Sequence, residues 1–201
     1  MARLQLNKSS LAREAKHLRT YQRFLPSLDL KRQQLTAERS KAVRVLAATR
    51  KEIEEFRKSA GRELPMLANR DVDLSELVTV TGVELGSENL VGTTLPVLER
   101  IALDTRPYAY LAKPYWVDRA AAMLRHMLEL RVRVQVEERR LALLEEAVKT
   151  ITQRVNLFDK VLIPKAKANI KRIKIYLSDE EMAAVVRSKI SKRKRAEHIA
   201  A

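Results

Sequence analysis

The chain has 201 residues, enough for one or two ordinary domains, with 40 Lys and Arg against 25 Asp and Glu and a formal net charge of +15. With only 4 Gly, 6 Pro and 4% aromatics but 32% charged residues, a large globular core is not expected and long helices are favoured. An apolar share of 46% is too high for a disordered chain, and the lack of cysteine excludes disulfides and thiolate metal sites.

The charge points to an acidic partner, whether nucleic acid, an anionic membrane or an acidic protein, without choosing among them. The opening MARLQLNKSSLAREAKHLRTYQ lacks the apolar run of a signal peptide. No stretch of about 18 apolar residues is present to span a bilayer. A soluble intracellular protein is therefore expected.

Residues 1–64 are expected to form one long helix. Leu4, Leu11, Leu18, Leu25, Arg32, Arg39, Leu46, Ile53 and Ala60 occupy one heptad position. Asn7, Glu14, Tyr21, Leu28, Leu35, Ala42, Thr49 and Phe56 occupy the other. Polar seam residues weaken the pairing but fix its register, and Arg32 and Arg39 can bury their stems while keeping their heads wet. Pro26 removes an amide donor and crowds the preceding turn, which predicts a kink over 22–26 or a restart at Ser27.

Residues 65–114 hold all four glycines but Gly61, and four of the prolines, so an irregular middle is expected there. Val78, Val80, Val83 and Leu85 are β-prone and partly alternating, while Gly86–Asn89 and Gly92 are turn-like. A short β-hairpin is predicted within 78–101. A hairpin alone is marginal in water, so it must lean on the helices or on a partner. Tyr108, Tyr110, Tyr115 and Trp116 cluster just before the next helix, where packing of the helix end is the expected role.

Residues 115–190 carry the clearest pattern. Trp116, Met123, Leu130, Glu137, Leu144, Ile151 and Phe158 form one heptad position, and Ala120, Met127, Val134, Leu141, Val148, Val155 and Leu162 the other. The four–three spacing is unbroken, and only Glu137 is polar. Two seams of similar length joined by a middle segment predict one antiparallel hairpin of helices. Each, at about 60 residues, would be roughly 90 Å long. Beyond Leu162 the frame slips: Ala166, Ile170, Ile173 and Leu177 continue it only after a four–four step, which reads as a stutter that changes the supercoil. Pro164 falls at the slip, and only basic charges follow it up to Lys174.

No chemistry-bearing motif is present. The chain lacks a GxxxxGK[ST] loop, a GxGxxG turn, a GxSxG elbow and an HExxH pair. His17, His126 and His198 are far apart, and Glu137, Glu138, Glu145 and Glu146 sit among arginines as on a solvated helix face. A chain that is not itself an enzyme and needs no cofactor or metal is expected. The stretch VVRSKISKRKRAEHIAA, which ends in a basic tail at residues 191–201, carries Arg187, Lys189, Lys192, Arg193, Lys194 and Arg195, which could meet phosphates. It has no stacking aromatics and no recognised nucleic-acid fold beside it. A basic coiled-coil protein associated with nucleic acid or ribosomes is the alternative reading, and a homodimeric scaffold or membrane-surface binder is another.

RVNLFDKVLIPKAKANIKRIKIYLSDEE resembles a signature of the D subunit of V-type and A-type rotary ATPases, matching at Arg154, Val155, Asn156, Ile163, Pro164, Ile170, Lys171, Ile173, Leu177, Glu180 and Glu181. LNKSSLAREAKHL, LDLKRQQL and SENLVGTTLP resemble further pieces of that family in the same order, so the resemblance covers nearly the whole chain. Pro26, and a single leucine where the family often has two in LDLKRQQL, depart from it.

The resemblance implies a mainly α fold, an antiparallel two-helix coiled coil with a short β-hairpin in the middle. It implies a non-catalytic central-stalk rotor shaft, coupling ion transport, including hydrogen-ion transport, to ATP hydrolysis or ATP synthesis. The implied partners are the catalytic A and non-catalytic B subunits of a hexamer, the small F subunit, and a socket subunit on the membrane rotor ring. The implied location is peripheral, on the cytoplasmic face of a membrane. Lys8, Arg13, Lys189, Lys192 and Arg193 are then candidates to face the hexamer, and Leu85, Glu88, Asn89, Gly92 and Pro96 mark a candidate regulatory hairpin. The γ subunit of F-type ATPases has a similar shaft but a larger α/β domain, for which about 50 intervening residues leave little room.

Overall fold

The computed structural model describes residues 4–65, 74, 76–107 and 114–199, with side chains described up to Arg195. The chain is mainly α. In order it forms α1 (Lys8–Glu63), β1 (Val78–Leu90), β2 (Thr93–Thr105), α2 (Trp116–Asn156), a π-helical segment (Leu157–Leu162) and α3 (Ile163–Ile199). Contacts divide it into two units, one made of residues 1–30 with 151–201, the other of residues 31–150.

In the second unit α1 and α2 run antiparallel. Thr49 bonds Glu137, Phe56 lies edge-on to His126 at 4.8 Å, and Arg119 pairs with Glu63, so partners step forward along α1 and backward along α2. Leu35, Leu46, Leu130 and Leu144 are buried between them. The seam read from the sequence is the buried stripe: each of its α2 positions is buried or half-buried, Glu137 included. At one end Leu64, Leu77, Trp116, Val117, Ala120, Ala121 and Met123 form the apolar core of this unit, with Phe56 and Val78 against it. Trp116 thus packs a helix end as expected, while Tyr115 is 83% exposed. Tyr108 and Tyr110 lie outside the described residues.

The two strands pair antiparallel from Val78↔Thr105 to Leu90↔Thr93. The hairpin therefore runs four residues past the expected limit at Ile101. Gly86–Asn89, expected as a turn, are strand residues. The turn is Val91-Gly92, both at positive φ (52° and 79°), as a two-residue type I′ connection requires. That geometry matches the right-handed twist of the strands, and Asn89 Oδ1 supports it by accepting from the Gly92 amide at 2.8 Å. Register shifts set Thr81 and Glu99 outside the pairing, and such bulges sharpen the local twist. Arg125 donates to the Leu103 carbonyl (3.1 Å), and Arg140 donates to Glu88 (2.7 Å) and the Pro96 carbonyl (3.5 Å), so two arginines of α2 hold the hairpin.

In the first unit the helices are again antiparallel. Asn169 donates to Glu14, and Phe158 lies edge-on to Tyr21 with ring centres 5.4 Å apart. Asn7 is exposed, not a seam residue. It caps α1, its Oδ1 accepting from the Ser10 amide at 2.7 Å, which satisfies an otherwise orphaned donor. Pro26 lies inside α1, which is continuous from Lys8 to Glu63, so the helix does not restart at Ser27. Instead the Ser27 hydroxyl donates to the Phe24 carbonyl within the unbroken helix.

The frame slip before Pro164 takes the form of a π-helical turn, in which the Ile163 amide reaches back five residues to the Phe158 carbonyl. Ile151 and Val155 are buried and Phe158 and Leu162 half-buried in one frame; Ile163, Ala166 and Ile173 are buried, and Ile170 and Leu177 half-buried, in a frame one residue later. A π turn holds one residue more than an α turn, so it absorbs the offset and both stripes stay buried.

Candidate functional site

Two surfaces carry the residues singled out from the sequence. The first is formed by the N-terminal end of α1 and the far part of α3. Lys8 lies 3.9 Å from Glu181, both largely exposed, a pairing of little energetic weight. Arg13 reaches the hydroxyl of buried Ser10 at 3.4 Å. From Ser178 to Arg195 every residue of α3 is exposed. Here the helix buries no seam. It bears Met182, Val185, Val186 and Ile190 at spacings that place them along one stripe, each more than half exposed. Lys189, Lys192 and Arg193 lie on this stretch, with Arg187, Lys194 and Arg195. Lys8, Arg13 and the lysines of α3 thus belong to one unit. The apolar stripe was missed by sequence reasoning, although its spacing is legible: Met182, Val185, Val186 and Ile190 fall outside the frame that ends at Leu177.

Most helical stability in a protein comes from packing an apolar face, and over residues 178–195 none is packed. A segment with exposed aliphatic side chains and basic neighbours is suited to a partner surface. Among the described residues, no group of three or more His, Cys, Asp or Glu could hold a metal ion. Among them, too, no helix is long and apolar enough to cross a membrane.

The second surface is the hairpin. Leu85 is 54% exposed on β1, and Val80, Val83 and Val97 are exposed on the same two strands. Glu88 and Pro96 are the points held by Arg140; Asn89 and Gly92 build the turn. The signature residues divide between the seam and the exposed surface. Val155, Ile163 and Ile173 are buried and Ile170 half-buried, while Arg154, Asn156, Pro164 and Lys171 are exposed. Asn156 and Ile163 bracket the π turn, and Pro164 follows it.

The family of ATP synthase D subunits matches residues 10–193. A V-type ATP synthase D subunit from Borreliella burgdorferi is 33% identical over 192 residues, covering 96% of this chain and 95% of that one. The namesake of Chlamydia felis is 33% identical, covering 96% and 94%, and that of Chlamydia trachomatis serovar L2 is 31% identical, covering 98% of each. Antiparallel helices with a central hairpin make this a mainly α protein, and the chain belongs to the ATP synthase D-subunit family.

Proposed function

We propose that this chain is the non-catalytic central rotor shaft of a V-type or A-type rotary ATPase. It carries torque between the hexamer that hydrolyses or makes ATP and the ring that moves ions through the membrane. The observation that carries this reading is the stretch Ser178–Arg195, helical yet exposed on every residue. A helix end that must turn inside a sleeve cannot interdigitate deeply with it, because deep packing would trap one angle. An aliphatic stripe flanked by long basic side chains gives shallow contacts that several angles can share.

On this reading Lys8, Arg13, Lys189, Lys192 and Arg193 face the catalytic A and non-catalytic B subunits. The other end meets the small F subunit and a socket on the membrane rotor ring, and the protein sits peripherally on the cytoplasmic face of the membrane. The hairpin, with Leu85, Glu88, Asn89, Gly92 and Pro96, regulates turnover or stalk assembly. Deleting Leu85–Pro96 is then expected to leave helix content intact and to alter ATPase rate.

The decisive experiment is affinity capture of the tagged chain from native membranes. Recovery of two nucleotide-binding subunits with a small stalk subunit is the expected result. Recovery of nucleic acid that survives physiological salt, without those subunits, would replace this reading with that of a basic coiled-coil nucleic-acid binder.

A further inference from the structure

The first unit contains two interruptions of backbone bonding, one on each helix, on either side of one aromatic contact. In α1, Pro26 has no amide to give to the Gln22 carbonyl. In the other helix, Pro164 has none to give to the Lys160 carbonyl, and the turn before it is π-helical with no buried residue. Tyr21 and Phe158 mark the level at which the helices meet here, and His17 stacks on Tyr21 with ring centres 6.0 Å apart. Gln22 is the residue after Tyr21, and Lys160 is two after Phe158. The missing rungs therefore flank the aromatic contact, one on each helix, and the two prolines span roughly 16 Å of axis.

The sequence does not need a proline-softened joint to keep its seam. Removing one residue between Phe158 and Ile163 would give Ile151, Val155, Phe158 and the present Ile163, Ala166, Ile170 and Ile173 an unbroken four–three spacing. Nor can the extra residue simply migrate away. Without the slip, the frame past Leu162 would bury Lys165, Asn169, Arg172 and Tyr176. The insertion is locked in place by the apolar pattern, beside the proline interruptions of both helices.

We propose that this level is a torsional joint: a point where the helix pair twists and bends more readily than elsewhere, pinned laterally by the Tyr21–Phe158 contact. Its use in storing and releasing twist rests on the rotor-shaft reading; the joint itself does not.

The test uses the full chain. Because it has no cysteine, the pair Gln153→Cys and Lys174→Cys gives spin labels only at two exposed sites astride the π turn. Asp118→Cys and Arg139→Cys, equally far apart in sequence, give the control on α2. The expected distance distribution across the π turn is at least 1.5-fold wider than the control. Amides of 158–163 and 24–27 are expected to exchange at least ten-fold faster than those of 167–173. Deleting Asp159 in a Pro26→Ala, Pro164→Ala background is expected to narrow the distribution to the control width and slow that exchange. Should this variant not fold, the double proline substitution alone is expected to slow exchange at 24–27 at least five-fold. Equal widths in the unaltered chain, or exchange there as slow as in the flanks, would overturn the joint. A chain that passes this test but captures no ATPase subunits keeps the joint and loses the shaft.

Discussion

Glu137 stands in a seam otherwise filled by apolar side chains. Its Oε1 accepts from the Thr49 hydroxyl at 3.1 Å, but that hydroxyl is also placed to donate to the Val45 carbonyl at 3.2 Å, and one hydrogen cannot fully serve both. Glu137 Oε2 is closed to solvent and has no hydrogen-bond partner. Such a group fixes register at a cost in stability. Glu137→Leu is expected to stabilise the helix pair by about 1–3 kcal/mol, seen as a higher urea midpoint with unchanged slope. At the hairpin tip Val91 is a β-branched residue at φ 52°, in a region that asparagine and glycine occupy far more readily. Val91→Asn is expected to stabilise the turn by about 1 kcal/mol, with slower amide exchange at Leu90 and Thr93.

At the scale of elements, the hairpin is a two-stranded sheet held by a few polar contacts, with much of β1 exposed. Arg140 is the central one, tying Glu88 and the Pro96 carbonyl to α2. The Arg140–Glu88 pair is partly exposed, so its loss costs the whole fold little, about 1 kcal/mol or less. The effect is local: Arg140→Ala is expected to speed exchange across Glu88–Val97 at least five-fold while exchange along α2 stays unchanged. Equal protection in both proteins would show that buried Leu95, not the arginine, holds the hairpin.

For the whole molecule, the consequence lies in assembly. Lys189→Glu with Lys192→Glu alters charge on a fully exposed stretch, so folding is expected to be unaffected within about 0.5 kcal/mol. Met182→Ser with Val186→Ser tests the aliphatic stripe in the same way. On the rotor-shaft reading each pair lowers ATP-coupled ion transport or hexamer assembly several-fold, measured in reconstituted vesicles, while the circular dichroism of the isolated chain is unchanged. Unaltered transport and assembly in both would place the sleeve contact elsewhere on the chain.

By itself the sequence determined the long helices, their seams, the hairpin and the family. These follow from periodicity, from the scarcity of glycine and from a motif whose apolar members Val155, Ile163 and Ile173 are the ones that bury. Seven-residue repetition is a local signal, readable without knowing what lies opposite. Other features depended on the partner across the seam or on the backbone as folded. Asn7 fits the heptad frame, yet it is spent on capping because the helix begins there. Gly86–Asn89 have turn composition, but the pairing from Val78↔Thr105 to Leu90↔Thr93 puts the reversal at Val91-Gly92. The slip at Pro164 was visible as a number, one residue too many. Only the tertiary structure decided that it is absorbed in a π turn, because both flanking stripes must face α1 and a wider turn is the local way to keep them there.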